Sequence, residues 1–122
     1  MSNVTRFTDL EVWRRSHALF LDVLNKLDDF PRTRAAAALT DQVIRSLGSV
    51  GANIAEGFNR SKSRYLNALD IALGEANESE NWLYKIRDAG LFSRQSAKPH
   101  IAECIEIEKM LSGLIRSIRS RP

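Results

Sequence analysis

Residues Leu10–Leu27 read LEVWRRSHALFLDVLNKL. Their apolar and aromatic side chains, together with one histidine, recur at alternating intervals of three and four residues: Leu10, Trp13, His17, Phe20, Leu24 and Leu27. This spacing is typical of the contact face of an α-helix in a bundle. We expect these residues to face the core, in a helix that begins near Thr8 or Asp9 and ends at Phe30-Pro31, since the residue before a proline avoids the α conformation.

Three further stretches show helical periodicity, and none alternates as a strand would. We predict the second helix at about 34–58, the third from 61 or 63 to about 89, and the fourth from 96–98 onward with Pro99 in its first turn. Their predicted core faces are Leu39, Val43, Leu47, Val50 and Ile54; Tyr65, Leu69, Ala72, Ala76, Leu83 and Ile86; and Ile101, Cys104, Leu111, Ile115 and Ile118. Short loops favour antiparallel neighbours. The sequence thus predicts an all-α fold, an antiparallel up-down-up-down four-helix bundle forming one domain over 1–122.

Two glycines lie in the interior of the second predicted helix. Gly48 and Gly51 each cost about 1 kcal/mol there relative to alanine. A helix that keeps both glycines must gain from them elsewhere. We therefore expect a neighbouring helix to approach closely at these positions.

The composition is that of a globular protein without membrane segments. Of the 122 residues, 43% are apolar and 27% are charged. No run approaches the roughly 18 apolar residues that a membrane span needs. The first residues lack the apolar core of a secretion signal, and the single cysteine, Cys104, cannot form an intramolecular disulfide. We expect a cytoplasmic protein with no membrane partner.

The sequence does not predict a metal centre. A di-iron site in a bundle needs Glu-x-x-His on two helices and a glutamate from each of the other two. Neither His17 nor His100 follows a glutamate by three residues. Two carboxylate pairs have helical spacing, but carboxylates alone form a weak transition-metal site: Glu75/Glu78 and Glu103/Glu106.

No catalytic group is predicted either. Cys104 lies on the apolar face of the fourth helix, where a cysteine is usually inert packing. His17 lies on the predicted core face of the first helix, where we expect a hydrogen-bonded core histidine rather than a general base. The pattern Gly48-x-x-Gly51 lies inside a helix, and no Gly-Lys-Ser/Thr follows it as in a phosphate-binding loop. We therefore predict neither enzymatic activity nor a cofactor.

The most unusual polar cluster is Asn53, Glu56 and Gly57, within SVGANIAEGF. Asn53 and Glu56 share one helix face beside the apolar stripe, because they are three residues apart. A structural interpretation is a buried polar network that fixes helix register. The alternative is a contact to a ligand or to RNA. We favour the structural interpretation, because one acid and one amide do not make a catalytic pair.

The net charge is +3, from 18 Lys and Arg against 15 Asp and Glu. This mild excess permits a nucleic-acid partner without requiring one. Four basic residues follow an acidic residue by four positions and are predicted to form local ion pairs: Glu11–Arg15, Asp22–Lys26, Asp41–Arg45 and Glu56–Arg60.

Two groups of basic residues remain, one around the second loop and one at the end of the chain. Cations at a helix C-terminus are favourable, whereas Lys62 and Arg64 lie at a helix N-terminus, where a bound phosphate would reverse the penalty. In an alternating bundle the second and fourth helices end at the same pole, so both groups should meet there. We predict that they bind nucleic acid: Arg60, Lys62, Arg64, Arg116, Arg119 and Arg121.

Nearly the whole chain resembles the four-helix bundle proteins encoded in intervening sequences of bacterial 23S rRNA genes. The resemblance rests on Phe7-x-Asp9-Leu10-x-Val12-Trp13, Phe30-Pro31, Leu39-Thr40-Asp41-Gln42-x-x-Arg45-Ser46 and above all Asn53-Ile54-Ala55-Glu56-Gly57-Phe58. It continues through Tyr65-Leu66-x-x-Leu69-x-Ile71-Ala72-x-Gly74. The chain departs from the pattern at Glu75-Ala76-Asn77-Glu78 and in the alanine-rich loop after Pro31, and neither departure should alter the fold.

The resemblance implies a bundle that assembles into a homopentameric ring. It also implies similarity in fold to the accessory variability proteins of diversity-generating retroelements, which are basic pentamers that bind nucleic acid and a reverse transcriptase. No enzymatic activity is attached to the family, and no family site residues are carried over. We expect a non-enzymatic oligomer that binds structured RNA or other nucleic acid through a basic surface. The alternative is a protein-interaction scaffold or an accessory subunit, such as a partner of a reverse transcriptase.

Overall fold

The computed structural model describes residues 3–122. A short 3-10 turn at Phe7–Asp9 precedes four α-helices: α1 (Glu11–Leu27), α2 (Arg34–Gly57), α3 (Lys62–Asp88) and α4 (Arg94–Arg119). The described part of the chain contains no strand, so the prediction of an all-α fold is confirmed. Within residues 3–122, no helix has the length and apolar character needed to cross a membrane.

The four helices pack in a ring, in which each contacts the two that flank it. The contacts join α1 to α2, α2 to α3, α3 to α4, and α4 back to α1. Trp13 lies against Gly51 and Phe20 lies against Gly48, so α1 and α2 run in opposite directions. Lys62, at the start of α3, reaches the last carbonyl groups of α4, so these two helices are also antiparallel. The arrangement is the predicted up-down-up-down bundle.

The core faces predicted for α2, α3 and α4 are largely confirmed. Of those positions, only Leu39 and Tyr65 are half-buried, and all others are buried. Cys104 is among the buried ones, inside the core as predicted. The faces also contain buried small residues that complete the contact between helices: Ala36, Ser46, Gly57, Ala68, Ser79 and Ala97.

The core face of α1 differs from the prediction by one residue, which is about 100° around the helix axis. The predicted residues are half-buried or exposed, and the buried ones are Val12, Ser16, Leu19 and Val23. The reason is side-chain size. The centre of the bundle accommodates aliphatic and hydroxyl side chains from α1, whereas the larger rings of Trp13 and Phe20 pack on the flank against α2. Gly48 and Gly51 make room for them there, so the predicted close approach at these two glycines is confirmed.

Hydroxyl side chains fix the starts of three helices. Thr33, Ser61 and Ser93 each accept a hydrogen bond from the backbone N–H three residues later, as N-cap residues do. Because Ser93 is the cap, α4 begins at Arg94, before the predicted 96–98. Pro99 therefore lies in the second turn of α4 and not in its first.

The first helix is also shorter than predicted. The Asp9 carboxylate caps the preceding 3-10 turn, where it accepts the backbone N–H groups of Thr5 (2.9 Å) and Arg6 (3.0 Å). These bonds lower the pKa of Asp9. Helix α1 then begins at Glu11 and ends at Leu27, three residues before the predicted stop at Phe30-Pro31.

One hydrogen bond crosses the apolar core between α2 and α3. The buried hydroxyl of Ser79 donates to the buried hydroxyl of Ser46 at 2.8 Å. Ser46 in turn donates to the carbonyl oxygen of Val43. The Ser79 hydroxyl also lies 2.9 Å from the carbonyl oxygen of Glu75 in its own helix. The bond between the two hydroxyls forms at one position of α2 along α3, so it favours that alignment of the helices.

Candidate nucleic-acid interface

The two groups of basic residues lie at the same end of the bundle, as the alternating topology predicts. The Lys62 ammonium group donates to the backbone carbonyl oxygens of Arg119, at 3.3 Å, and Arg121. The start of α3 and the end of α4 are therefore in direct contact. Arg60 lies at the same end, in the short turn between the end of α2 at Gly57 and the start of α3 at Lys62, and its backbone N–H donates to the carbonyl of Gly57. We call this surface the basic end: Arg60, Lys62, Arg64, Arg116, Arg119 and Arg121.

Lys62 has a structural partner that the sequence does not reveal. At the N-terminus of its own helix a cation is unfavourable, but the carbonyl groups at the C-terminus of α4 carry partial negative charge. By donating to the carbonyl of Arg119, the last residue of α4, and to that of Arg121 just beyond the helix, Lys62 satisfies acceptors that the helix itself cannot. The prediction that Lys62 lacks local compensation is therefore wrong, and its charge is partly engaged within the bundle.

The five arginines of the basic end have no such partner. All are exposed, and among residues 3–122 none of their side chains forms an ion pair. Two aromatic rings lie close to them, Phe58 and Tyr65, with centroids 6.1 Å apart in an edge-to-face arrangement. Burial raises the pKa of Tyr65, and the nearby positive charge of Arg121 opposes this shift. The basic end thus carries unneutralised guanidinium groups around a half-buried aromatic pair.

Ion pairing on the rest of the surface differs from the local pairs predicted. Arg15 forms a two-point contact with Glu103 of α4, at 2.8 and 2.6 Å. Arg45 pairs with Glu78 of α3 at 2.5 Å. The ion pairs of both arginines thus connect neighbouring helices, although Arg45 also donates to Gln42 of its own helix at 3.2 Å. A two-point contact orients the planar guanidinium group better than a single-point pair does.

The predicted Glu56–Arg60 pair is not formed among the ion pairs of residues 3–122. Helix α2 ends at Gly57, and Phe58 already has an extended backbone. Asn59 then adopts a left-handed conformation with φ of 64°. Arg60 therefore lies outside the helix, and the four-residue spacing no longer places it above Glu56.

A groove lies between the end of α2 and the start of α3, beside the basic end. Its volume is about 270 Å³, and we call it the α2–α3 groove. It is lined by Asn53, Glu56, Gly57, Arg60, Arg64, Asn67, Ala68 and Ile71. The polar cluster predicted on α2 and two residues of the basic end therefore meet in one concave site. Asn67 and Ile71 were not predicted, although they follow Arg64 by three and seven residues on the same helix face.

Asn53 and Glu56 do not form the predicted buried network. The Asn53 amide nitrogen donates to the carbonyl oxygen of Ser49 (2.8 Å) and to its hydroxyl (3.0 Å), both within α2. Glu56 is exposed, and its carboxylate forms no hydrogen bond or ion pair in the described part of the chain. The two side chains share the groove without bonding to each other, because both point away from the core.

The two nucleophile or base candidates have different environments. Burial raises the pKa of Cys104 well above its ordinary value, so its thiol stays protonated. His17 is exposed and stacks on Trp13 with ring centroids 4.8 Å apart. The expectation that His17 is a core residue is therefore wrong, and the reason is the rotation of α1 described above.

A carboxyl pair that sequence reasoning missed lies near the middle of the α3–α4 contact. Glu80 of α3 faces Glu108 of α4, and the hydroxyl of Tyr84 donates to Glu80. The pKa of Glu108 is raised to about 8. The largest cause is burial of the carboxyl group, and smaller contributions come from its hydrogen bond with Glu80 and from the negative charge of Glu80. The Glu108 Oε2 atom is buried with no hydrogen-bond partner among residues 3–122. A proton shared between the carboxyl groups of Glu80 and Glu108 would give this oxygen a hydrogen-bond partner.

The fold and this surface define a small four-helix bundle protein with a basic end and an adjoining polar groove. The chain belongs to the 23S rRNA-intervening sequence protein family, whose model matches residues 8–113. The resemblance noted from the sequence is thereby confirmed.

A solved structure supports the same assignment. The chain is similar to a protein of unknown function from the S23 ribosomal protein family of Bacteroides thetaiotaomicron, with 30% sequence identity and a TM-score of 0.78. The similarity covers 85% of this chain and 97% of that one. No curated protein matches the chain.

Proposed function

We propose that this chain is a non-enzymatic, homo-oligomeric protein of the cytoplasm that binds structured RNA through its basic end. The observation that carries the proposal is the meeting of two basic groups, distant in sequence, at one end of the bundle. Five of the six cations are exposed arginines without ion pairs in the described chain. Such groups release counterions when they contact phosphates, which favours nucleic-acid binding.

Assembly would strengthen this interaction. Five copies at +3 each would give a particle of +15. A homopentamer is the assembly that the family resemblance implies. It would also present several basic ends to one RNA, so that weak contacts add up.

The apolar flank of α1 supports assembly. The rotation of α1 leaves Leu21 and Leu24 each 40% exposed, beside the partly exposed Trp13 and Phe20. A groove of about 340 Å³ runs between these rings and the small residues of α2. We call this surface the α1 flank. Exposed leucines and partly exposed rings on one flank, here with His17 between Trp13 and Phe20, are more typical of an interface than of a free surface.

The same flank favours a second candidate function, a protein-interaction module. In that case the chain would act as a scaffold or as an accessory subunit, for instance of a reverse transcriptase. Its affinity for RNA would then be incidental. The two functions differ in whether the basic end is required.

The test compares two triple variants by fluorescence anisotropy with a structured RNA hairpin over a salt series. One variant is Arg64→Gln, Arg116→Gln and Arg119→Gln at the basic end. The control, Arg32→Gln, Arg94→Gln and Lys98→Gln, removes the same charge at the opposite end of the bundle. We expect the first variant to bind more weakly, with a salt slope smaller by about one unit per lost phosphate contact. The control should retain most of the affinity.

Two results would contradict RNA binding through the basic end. One is the absence of binding by the unmodified protein at low salt. The other is an equal loss of affinity in both variants, which would indicate a response to net charge alone.

A further inference from the structure

We propose that the α2–α3 groove binds a single unpaired guanine nucleotide within an RNA chain. This inference rests on the proposed function, because it assumes that RNA lies on the basic end. It adds a base-selective subsite to a surface that would otherwise contact only phosphates. Arg60 and Arg64 belong to both the groove and the basic end, so the two surfaces are continuous.

The groove is lined by polar groups that the protein does not use. In the described part of the chain, the side chains of Glu56, Arg60, Arg64 and Asn67 form no hydrogen bond and no ion pair. The Asn53 amide nitrogen is bonded to Ser49, which leaves its carbonyl oxygen available as an acceptor. One concave site thus holds a carboxylate, two guanidinium groups and two amides that can bond to a ligand.

The Glu56 carboxylate determines which base fits. It can only accept hydrogen bonds, and it accepts two when the partner presents two adjacent donors. The Watson–Crick edge of guanine offers N1–H and the N2 amino group side by side. Adenine and cytosine place an acceptor beside their amino group, and uracil flanks its one N–H with two carbonyl oxygens. Guanine is therefore the base whose neutral form matches this carboxylate at two points.

The other lining residues fit the remainder of the nucleotide. Guanine O6 and N7 are acceptors, which suit the guanidinium and amide donors of the groove. Ile71 is 47% exposed and, with Ala68, offers an apolar surface to the face of the base. The volume of about 270 Å³ lies just below the roughly 300–1,000 Å³ of small-molecule sites, so it suits one base more than a whole cofactor.

An unpaired base is required, because the bases of a duplex are stacked and already hydrogen-bonded. Sequence-selective binding to RNA generally uses loops and bulges, whose bases can turn outward. A hairpin whose backbone lies on the basic end could place such a base in the groove beside it. Free guanine nucleotides share the same chemistry, so the test includes one.

The test measures fluorescence anisotropy with four RNA hairpins that differ only in a single bulged G, A, C or U, and with a fifth that has no bulge. We expect the unmodified protein to prefer the G bulge by about tenfold. Glu56→Gln should remove this preference, because the amide presents a donor to one of the guanine donors. Its affinity for the hairpin without a bulge should be unchanged or higher, since a negative charge near the phosphates is lost.

Asp70→Asn is the matched control. Asp70 is an exposed residue of α3 that does not line the groove, and its substitution removes the same charge as Glu56→Gln. This variant should retain the preference for the G bulge. Circular dichroism of both variants should show the helix content of the unmodified protein.

Each remaining outcome has a definite meaning. Equal affinity for all five hairpins would overturn the guanine subsite and leave RNA binding by the basic end standing. Failure of every hairpin to bind would overturn both proposals. Binding of GMP alone as tightly as the G-bulge hairpin would reassign the groove to a free nucleotide and overturn the RNA form of the inference.

Discussion

Gly57 of α2 lies so close to Ala68 of α3 that a methyl group on the glycine would come within 3.0 Å of the alanine methyl. Neither group could rotate away, because both are fixed to helical backbone. Gly57→Ala should therefore push the two helices apart and lower the free energy of unfolding by about 1–3 kcal/mol. Urea denaturation followed by circular dichroism would measure the loss.

Gly74→Ala is the control for this effect. Gly74 lies in the interior of α3 and has no atom within 4 Å of its Cβ position. We expect this substitution to raise the free energy of unfolding by about 0.5–1 kcal/mol, since alanine favours the helix. Stabilisation by both substitutions would show that Gly57 does not limit the helix contact.

Lys62 should contribute to stability where its neighbour Arg64 does not. Its ammonium group bonds to carbonyl oxygens at the end of α4. Lys62→Gln should therefore cost about 0.5 kcal/mol and weaken hydrogen-exchange protection in the last turn of α4. Arg64→Gln removes an unpaired cation at a helix N-terminus and should leave that protection intact. Equal exchange in the two variants would rule out the bridging role of Lys62.

The Glu80–Glu108 pair predicts a stability that falls as the pH rises from about 4.5 to about 8. The pKa of Glu108 is raised from an ordinary 4.5 to about 8 in the folded protein. Between these values the folded protein holds a proton that the unfolded chain has released, so the free energy of unfolding falls as pH rises through this window. Glu108→Gln should therefore raise the melting temperature more at about pH 9 than at about pH 5.

Glu106→Gln serves as a comparison, because Glu106 is an exposed neighbour on α4 whose carboxylate forms an ion pair with Lys109. Its effect on the melting temperature should be small at both pH values. If Glu108→Gln gave the same shift at both, the carboxyl pair would not be the titrating element.

The α1 flank predicts a specific response of the assembly. Leu21→Glu with Leu24→Glu places two charges on exposed apolar positions, so it should dissociate the oligomer without unfolding the chain. Light scattering would show a smaller mass for this variant. Lys26→Glu changes the charge by the same two units, but this exposed residue lies at least about 140° around α1 from both leucines, so this variant should retain the oligomer. An unmodified protein that is monomeric at micromolar concentration would contradict assembly through this flank.

The helical fold could be predicted from periodicity because three of the four helices bury the residues that recur at helical spacing. In α1 the same reasoning selected Trp13 and Phe20, since large side chains dominate a hydrophobic pattern. The pattern cannot show that Gly48 and Gly51 of α2 open space for these rings on the flank. That information lies in the partner helix, so the rotation of α1 appears only in three dimensions.

The basic end was predictable because it follows from alternating topology and unpaired charge. The groove was only half predictable. Asn53 and Glu56 form a visible cluster, but their association with Asn67 and Ile71 depends on how α2 meets α3. The release of Arg60 depends on the extended backbone of Phe58, which ends the helical spacing, and on the left-handed conformation of Asn59 that follows. Short-range spacing rules fail where the backbone changes conformation.

The Ser46–Ser79 hydrogen bond has a consequence well beyond the core. Ser46 lies eleven residues before Gly57, about 16 Å along α2. If α2 slid along α3 by one turn, this bond between the helices would break, and each hydroxyl would keep a carbonyl partner in its own helix, Val43 for Ser46 and Glu75 for Ser79. The same slide would move Glu56 by a full helical turn relative to Asn67. A neutral hydroxyl pair in the interior therefore contributes to the spacing of the charged groups on the surface.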